Sequence, residues 1–267
     1  MNSNLFFTIA ALSLFIISFI VAQFTSFKDN KPTCDKYVLN TYIYLTMMFS
    51  LLISLILIFN MTMPNYTLYI GNMYLLLLII QTLISLFFIY LINRIPSTEV
   101  IKKRIIWLLF VLNFSLFLLP VIQMSIYNGY TDLIMSTMFI TFAIVAGLTL
   151  LTFLSPDLIV KNTESWTPYI LIALIGLILA YLIPMIFCAF GKCSLLLLNK
   201  WYYYLAVIGV ILFIFIILYK TKRVIENSKK CKTPEDADYI KESSSLFISI
   251  INLFLNLLSG RSRRRRF

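Results

Sequence analysis

Histidine is absent from the 267 residues. That removes the histidine-dependent forms of general base catalysis, the serine triad and the metalloprotease zinc site together. Glycine is scarce as well, seven residues scattered along the chain, so no glycine-rich phosphate loop can be drawn. Charged residues make up 12% of the chain, about half the roughly 25% usual in soluble domains, which excludes an ordinary soluble fold. The acidic residues that do cluster, Glu226, Glu235, Asp236, Asp238 and Glu242, have a spacing that matches no calcium loop. No catalytic residue, cofactor or metal ligand is assigned, and the chain is not read as an enzyme.

What the chain has instead is apolar surface, 61% of its residues being hydrophobic. Seven runs are long enough to cross a hydrocarbon layer that takes about 20 residues of helix. They are Leu5 to Phe27, Thr41 to Met61, Leu68 to Ile92, Ile105 to Tyr127, Leu133 to Leu154, Tyr169 to Phe190 and Trp201 to Tyr219. The expectation is an all-α, polytopic membrane bundle. Trp107, Trp166 and Trp201 fall near the starts of runs, as interfacial belts do. Pro120 and Pro184 lie within runs and should kink them. The first run resembles a signal peptide with "IVAQ" as its cleavage site, but the preceding "MNSN" carries no positive charge. It is read as a retained membrane helix.

The net charge of +11 does not point to nucleic acid, because Lys and Arg all lie in connectors or at run edges, where they set topology. Call the N-terminal side A and the other B. Side B holds the Lys and Arg of "KDNKPTCDK", "NRIPSTEVIKKR", Lys161 and the stretch from Lys220 to Ser245, 15 in all, and that last stretch is read as a solvated cytosolic connector. Side A has Lys192 and Lys200, joined by the five arginines of the tail, Arg261, Arg263, Arg264, Arg265 and Arg266, if the last run crosses. If that run dips in and returns, the split is 20 to 2, which obeys the positive-inside tendency better. The expectation is therefore a cytosolic side B, an external or lumenal N-terminus and a re-entrant last run, in an internal membrane of the ER, Golgi or mitochondrial inner type. The sequons at Asn60 and Asn65 hug the membrane and are not expected to be glycosylated, and the one at Asn113 is a chance match. Of the four cysteines, Cys34, Cys188, Cys193 and Cys231, the pair in "CAFGKC" could form a local disulfide if its turn faces an oxidising compartment. Inert or buried thiols are the preferred reading. The five tail arginines are worth roughly 1 kcal/mol each against anionic lipid, so lipid docking comes first and an acidic partner second.

The last apolar run, "LFISIINLFLNLL" from Leu246 to Leu258, has 13 residues. As a helix it would span about 20 Å, short of the bilayer core. Ser249, Asn252 and Asn256 recur at i, i+3 and i+7 and share one helical face. That face should look into the bundle, either as hydrogen-bonding glue between helices or as the lining of a pore or cavity.

The end of the chain, "AVIGVILFIFIILYKTKRVIEN" followed by "DYIKESSSLFISIINLFLNLL", resembles the Bax inhibitor (transmembrane Bax inhibitor motif) family. Leu218-Tyr219, Asp238-Tyr239 and Ile251-Asn252-Leu253-Phe254 carry the match. "YVLNTYIYLTMMFSLLIS" looks like the family's first core helix and "STMFITFAIVAGL" like its fourth. The resemblance implies an extra N-terminal helix over residues 1–27, a seven-helix core over 28–258 with its connector at 220–245, and an Arg-rich tail over 259–267. It also implies a calcium leak and a role in restraining cell death. Lys220 and Ser249 fall where the family carries paired aspartates thought to form a proton-sensitive latch; Asp238 and Asn252 match the family. A lysine about 6 Å from a divalent ion costs roughly 5 kcal/mol at an effective dielectric near 20, unless Lys220, at a helix end, snorkels into water. Loss of the latch also admits the alternative of a non-conducting structural or accessory subunit in a larger membrane complex.

Overall fold

The computed structural model describes residues 3–28, 31–154, 166–189 and 195–264. Among them nine α-helices dominate. α1 is Ser3–Ser26, and a minimal antiparallel hairpin, β1 (Phe27–Lys28) with β2 (Lys31–Pro32), follows it. Next come α2 (Tyr37–Thr62), the short α3 (Tyr66–Ile70), α4 (Tyr74–Arg94), α5 (Val100–Tyr127) and α6 (Thr131–Leu154). α7 (Thr167–Ala189), α8 (Leu195–Lys230) and α9 (Tyr239–Arg264) complete the chain. Eight of the nine are long and apolar enough to cross a membrane.

The helices fall into two compact units, residues 1–129 with 224–247, and residues 130–223 with 248–267. In the first unit, α2, α5 and the start of α9 build an aromatic core. Phe247 is completely buried, and its ring lies 5.0, 6.1 and 5.6 Å from those of Phe49, Phe110 and Phe114. Tyr44 meets Trp107 edge-on and stacks on Tyr239. α1 packs along α2 through one narrow stripe, Thr8, Ser18, Ala22 and Ser26, all buried, while most of its other side chains face outward. Ser18, Ala22 and Ser26 are four apart, and small residues at that spacing let two helix backbones approach closely.

Gln123 of α5 ties the far end of the unit together. Its Oε1 accepts from the Thr67 amide and hydroxyl, and its Nε2 donates to the Met63 carbonyl and to Asn60 Oδ1. Asn113, inside a chance sequon, donates to the Gln81 carbonyl and Ser85 Oγ of α4. In the second unit α7 and α8 are pinned by Trp201 Nε1 donating to the Ala180 carbonyl, Tyr202 OH to the Tyr181 carbonyl, and a 2.8 Å bond between the Thr167 and Tyr219 hydroxyls.

Four expectations need correction. Trp107 is 2% exposed and belongs to the core, not to an interfacial belt. The stretch from Lys220 to Ser245 is not a solvated loop: α8 runs on through Lys230 and α9 starts at Tyr239, leaving only residues 231–238 between them. Val224, Ile240, Ser243 and Ser244 within it are buried. The last apolar run is not a short insert either. It is the middle of a 26-residue helix of about 39 Å, long enough to cross, and one unbroken helix does not dip in and return. With that run crossing, the Lys and Arg split becomes 15 on side B and 7 on side A, so B keeps its excess. Finally, Lys220 is not at a helix end, since α8 continues for ten more residues beyond it.

Candidate functional site

Two polar centres stand out, one in each unit. The first is built on Asp238, the residue before α9. Its Oδ1 accepts from the Lys241 amide at 3.1 Å, which is N-cap geometry, and its charge sits at the positive end of the helix. Its Oδ2 lies 2.6 Å from Nζ of Lys103, whose side chain is 1% exposed against 20% for Asp238. Lys103 Nζ also donates to the Ile95 carbonyl at 2.7 Å. A buried ammonium is tolerated only with such partners, because desolvation of a charge is otherwise not repaid. Ser97 Oγ contacts the carbonyls of Pro234 and Glu235 at 2.9 and 2.8 Å, so the loop 231–238 is tied down beside the pair. Asp236 folds that loop on itself, accepting from the Thr233 amide and hydroxyl and the Lys232 amide, and these bonds hold its carboxyl below the usual carboxylate range. A water-sized cavity borders the pair, lined by Phe27, Pro32, Ser97, Ala237 and Tyr239 among others.

Next to Lys103, Arg104 is held quite differently. Its guanidinium donates to Tyr44 OH at 2.8 Å and lies over the rings of Phe27 at 4.7 Å and Phe19 at 5.5 Å. With its amide oriented to satisfy both groups, Gln23 Oε1 accepts from Arg104 at 2.7 Å. Arg104 thereby fastens α1 to the core. The same face carries a disulfide between Cys34 and Cys231, 197 residues apart in sequence. Sequence reasoning named Asp238 but missed Lys103, Arg104 and the Cys34–Cys231 bond. Lys103 was legible, since Lys103, Trp107, Phe110 and Phe114 follow i, i+4, i+7 and i+11 on one buried face. The cysteine pair had a single signal: both connectors fall on side B.

The second centre lies on α8 and α9. Lys220 Nζ donates to Oγ of Ser249 at 2.7 Å, and Ser249 is 1% exposed. The ammonium is thus turned toward α9. Asn256 Oδ1 accepts from Tyr181 OH at 3.1 Å, while its Nδ2 returns to the Asn252 carbonyl. Asn252 in turn donates to the Ile248 carbonyl of its own helix. Of the three residues on the polar stripe, Ser249 and Asn256 bond other helices and Asn252 bonds its own. Gly209 of α8 lets α9 come close, as a Cβ there would lie 2.7 Å from Asn256 Cγ.

The arginines begin where the apolar run ends. Arg261 donates to Thr137 Oγ1 of α6; Arg263 donates to Asn199 Oδ1 of α8 and lies 4.7 Å over the Tyr202 ring. These two are docked on the bundle. The side chain of Arg264, with Arg265 and Arg266, lies outside the described residues, as do the Cys188 side chain and Cys193.

Residues 34–264 match the family model described as "Inhibitor of apoptosis-promoting Bax1". The chain belongs to the Bax inhibitor family. It is an integral membrane protein of that family, with α1 lying ahead of the matched residues. No curated protein matches the chain.

Proposed function

We propose that this Bax inhibitor family protein restrains cell death without leaking calcium. The observation that carries the reading is the bond between Lys220 and Ser249, at the two positions where the family resemblance puts paired aspartates. Neither position supplies a carboxylate. One offers a cation and the other a buried hydroxyl, and they hold each other. A proton-sensitive latch of the family's kind needs two carboxyl groups that share or lose a proton, and a lysine with a serine is no such pair. A fixed positive charge beside the path also disfavours a divalent cation. The protein then acts through contact, as a non-conducting subunit among other membrane proteins of an internal membrane, with anionic lipid or an acidic partner at its arginine-rich end.

The test is calcium flux into vesicles carrying an internal indicator and the purified full-length protein. The wild type is expected to match protein-free vesicles at acidic and neutral pH, and the double variant Lys220→Asp, Ser249→Asp to show pH-dependent flux. In stressed cells the wild type should lower death without altering stored calcium. Flux by the wild type above the protein-free level removes the proposal.

A further inference from the structure

The pairing of Phe27–Lys28 with Lys31–Pro32 and the loop 231–238 are each held by hydrogen bonds around them. Thr33 N donates to the Ser26 carbonyl, and Asn40 Nδ2 donates to the Thr25 and Asp35 carbonyls, which fixes the first. Asp236 and Ser97 fix the second. The Cys34–Cys231 disulfide joins the two segments covalently. Phe27 and Pro32 from one segment and Ala237 and Asp238 from the other line the small cavity at Lys103. Both cysteines are half-buried, so the bond is within reach of a small thiol.

Its location matters most. Both cysteines stand in connectors of side B, the side holding 15 of the 22 Lys and Arg. That excess marks a cytosolic face. Glutathione and thioredoxin keep thiols reduced there, so a disulfide on that face is a transient or sensing bond and not a permanent staple.

We propose that Cys34–Cys231 is a thiol–disulfide exchange site for cytosolic dithiols, a clasp whose opening parts the hairpin from the loop and lets water reach the buried Lys103 as well as its partner Asp238. A thiolate of the dithiol attacks one sulfur and the other leaves as a thiolate and is protonated. The second thiol of the dithiol then resolves the mixed disulfide. Cys34 and Cys231 gain two electrons and two protons, and the dithiol becomes a disulfide. Opening the bond parts the two segments and removes the tether that holds the loop against the hairpin, so the loop's own amide bonds, those of Thr233 and Lys241 among them, open more often.

The test uses the full chain in isolated native membranes, with Cys188→Ser and Cys193→Ser so that only the pair reports. Thiols are alkylated at lysis, and the remaining bond is reduced and tagged with a maleimide polymer to read the oxidised fraction. That fraction should be substantial at lysis and fall in a graded way as the dithiothreitol reduced-to-oxidised ratio is raised without denaturant. Reduction should also raise amide hydrogen exchange at residues 233–241 severalfold, and Cys34→Ser or Cys231→Ser should reproduce that rise without reductant. Three results would each overturn the clasp. They are no bond in freshly alkylated membranes, a bond that resists native reduction, or exchange indifferent both to reduction and to the serine variants.

Discussion

Asp238→Asn separates charge pairing from helix capping. Asparagine caps a helix N-terminus as well as aspartate does, so the variant keeps an acceptor for the Lys241 amide and removes only the charge facing Lys103. Lys103, 1% exposed, then keeps its bond to the Ile95 carbonyl but no counter-charge. Leaving a buried ammonium without its counter-charge costs roughly 3–5 kcal/mol. The reciprocal change, Lys103→Met, is milder. It conserves most of the stem's volume, and the abandoned carboxylate is 20% exposed and still accepts from an amide; the lost bonds amount to about 1–3 kcal/mol. The double variant should be more stable than Asp238→Asn alone, because it removes the orphaned cation along with the charge. Unfolding by sodium dodecyl sulfate titration in mixed micelles, followed by tryptophan fluorescence, measures all three against the wild type. Equal costs for the single variants, or a double variant at their sum, would refute the burial and pairing of Lys103.

Gly209→Ala must turn the Asn256 amide off Tyr181, since the new methyl would sit 2.7 Å from its Cγ; the lost bond costs about 1 kcal/mol and alanine gains about as much over glycine in a helix, so the net change in the same titration should stay under about 1 kcal/mol, and a loss above about 3 kcal/mol would show that the amide cannot turn aside. Ala22→Leu overfills a site that is 0% exposed against α2, so α1 should detach and the hairpin become open to trypsin at Lys28 and Lys31, while unchanged cleavage would count against the small-residue stripe. The depressed pKa of Asp236 means that its contribution to loop order is complete above the unfolded value of about 3.9 and is lost as pH falls through the lower folded value. Exchange of the Thr233 amide should therefore stay flat from neutral pH down to about 4 once corrected for intrinsic rate, and loosening well above that would contradict the three hydrogen bonds.

Composition alone reveals the membrane spans, because a span needs only length and apolar content. It does not reveal where helices end once one face turns polar. Beyond Tyr219 the chain reads as charge, Lys220, Lys222, Arg223 and Glu226, yet Val224 and Thr221 are buried between those charges and the helix runs on. Before Leu246 the same holds, with Ile240, Ser243 and Ser244 buried and Lys241 half-exposed. An average over a window weighs both faces equally, whereas packing responds to one. Trp107 was misplaced for a related reason: nearness to the start of a run suggests an interface, but its position one turn after Lys103 puts it on the buried face of α5. The motif resemblance put Lys220 and Ser249 at paired positions but left the ammonium free to snorkel into water; the bond between them is legible only in the structure, where α8 runs on past Lys220.

The polar stripe on α9 shows why polarity in a membrane helix is a poor guide to a conducting path. Most short hydroxyls in the interior are satisfied within their own helix. Thr41, Ser54, Thr141 and Thr152 each donate to the carbonyl four residues back, and Ser50 and Ser115 to the one three back. Such a group asks nothing of a neighbour and needs no water. Bonds between helices come from longer arms: Gln123, Asn113, Lys103, Tyr181 and Lys220. Asn252 belongs to the first group, as its amide donates to its own helix. Ser249 enters the second because Lys220 reaches it, and Asn256 because Tyr181 does. Replacing Asn252 with Leu should accordingly leave stability within about 1 kcal/mol of the wild type, whereas a stripe that lined a wet cavity would lose its hydration there.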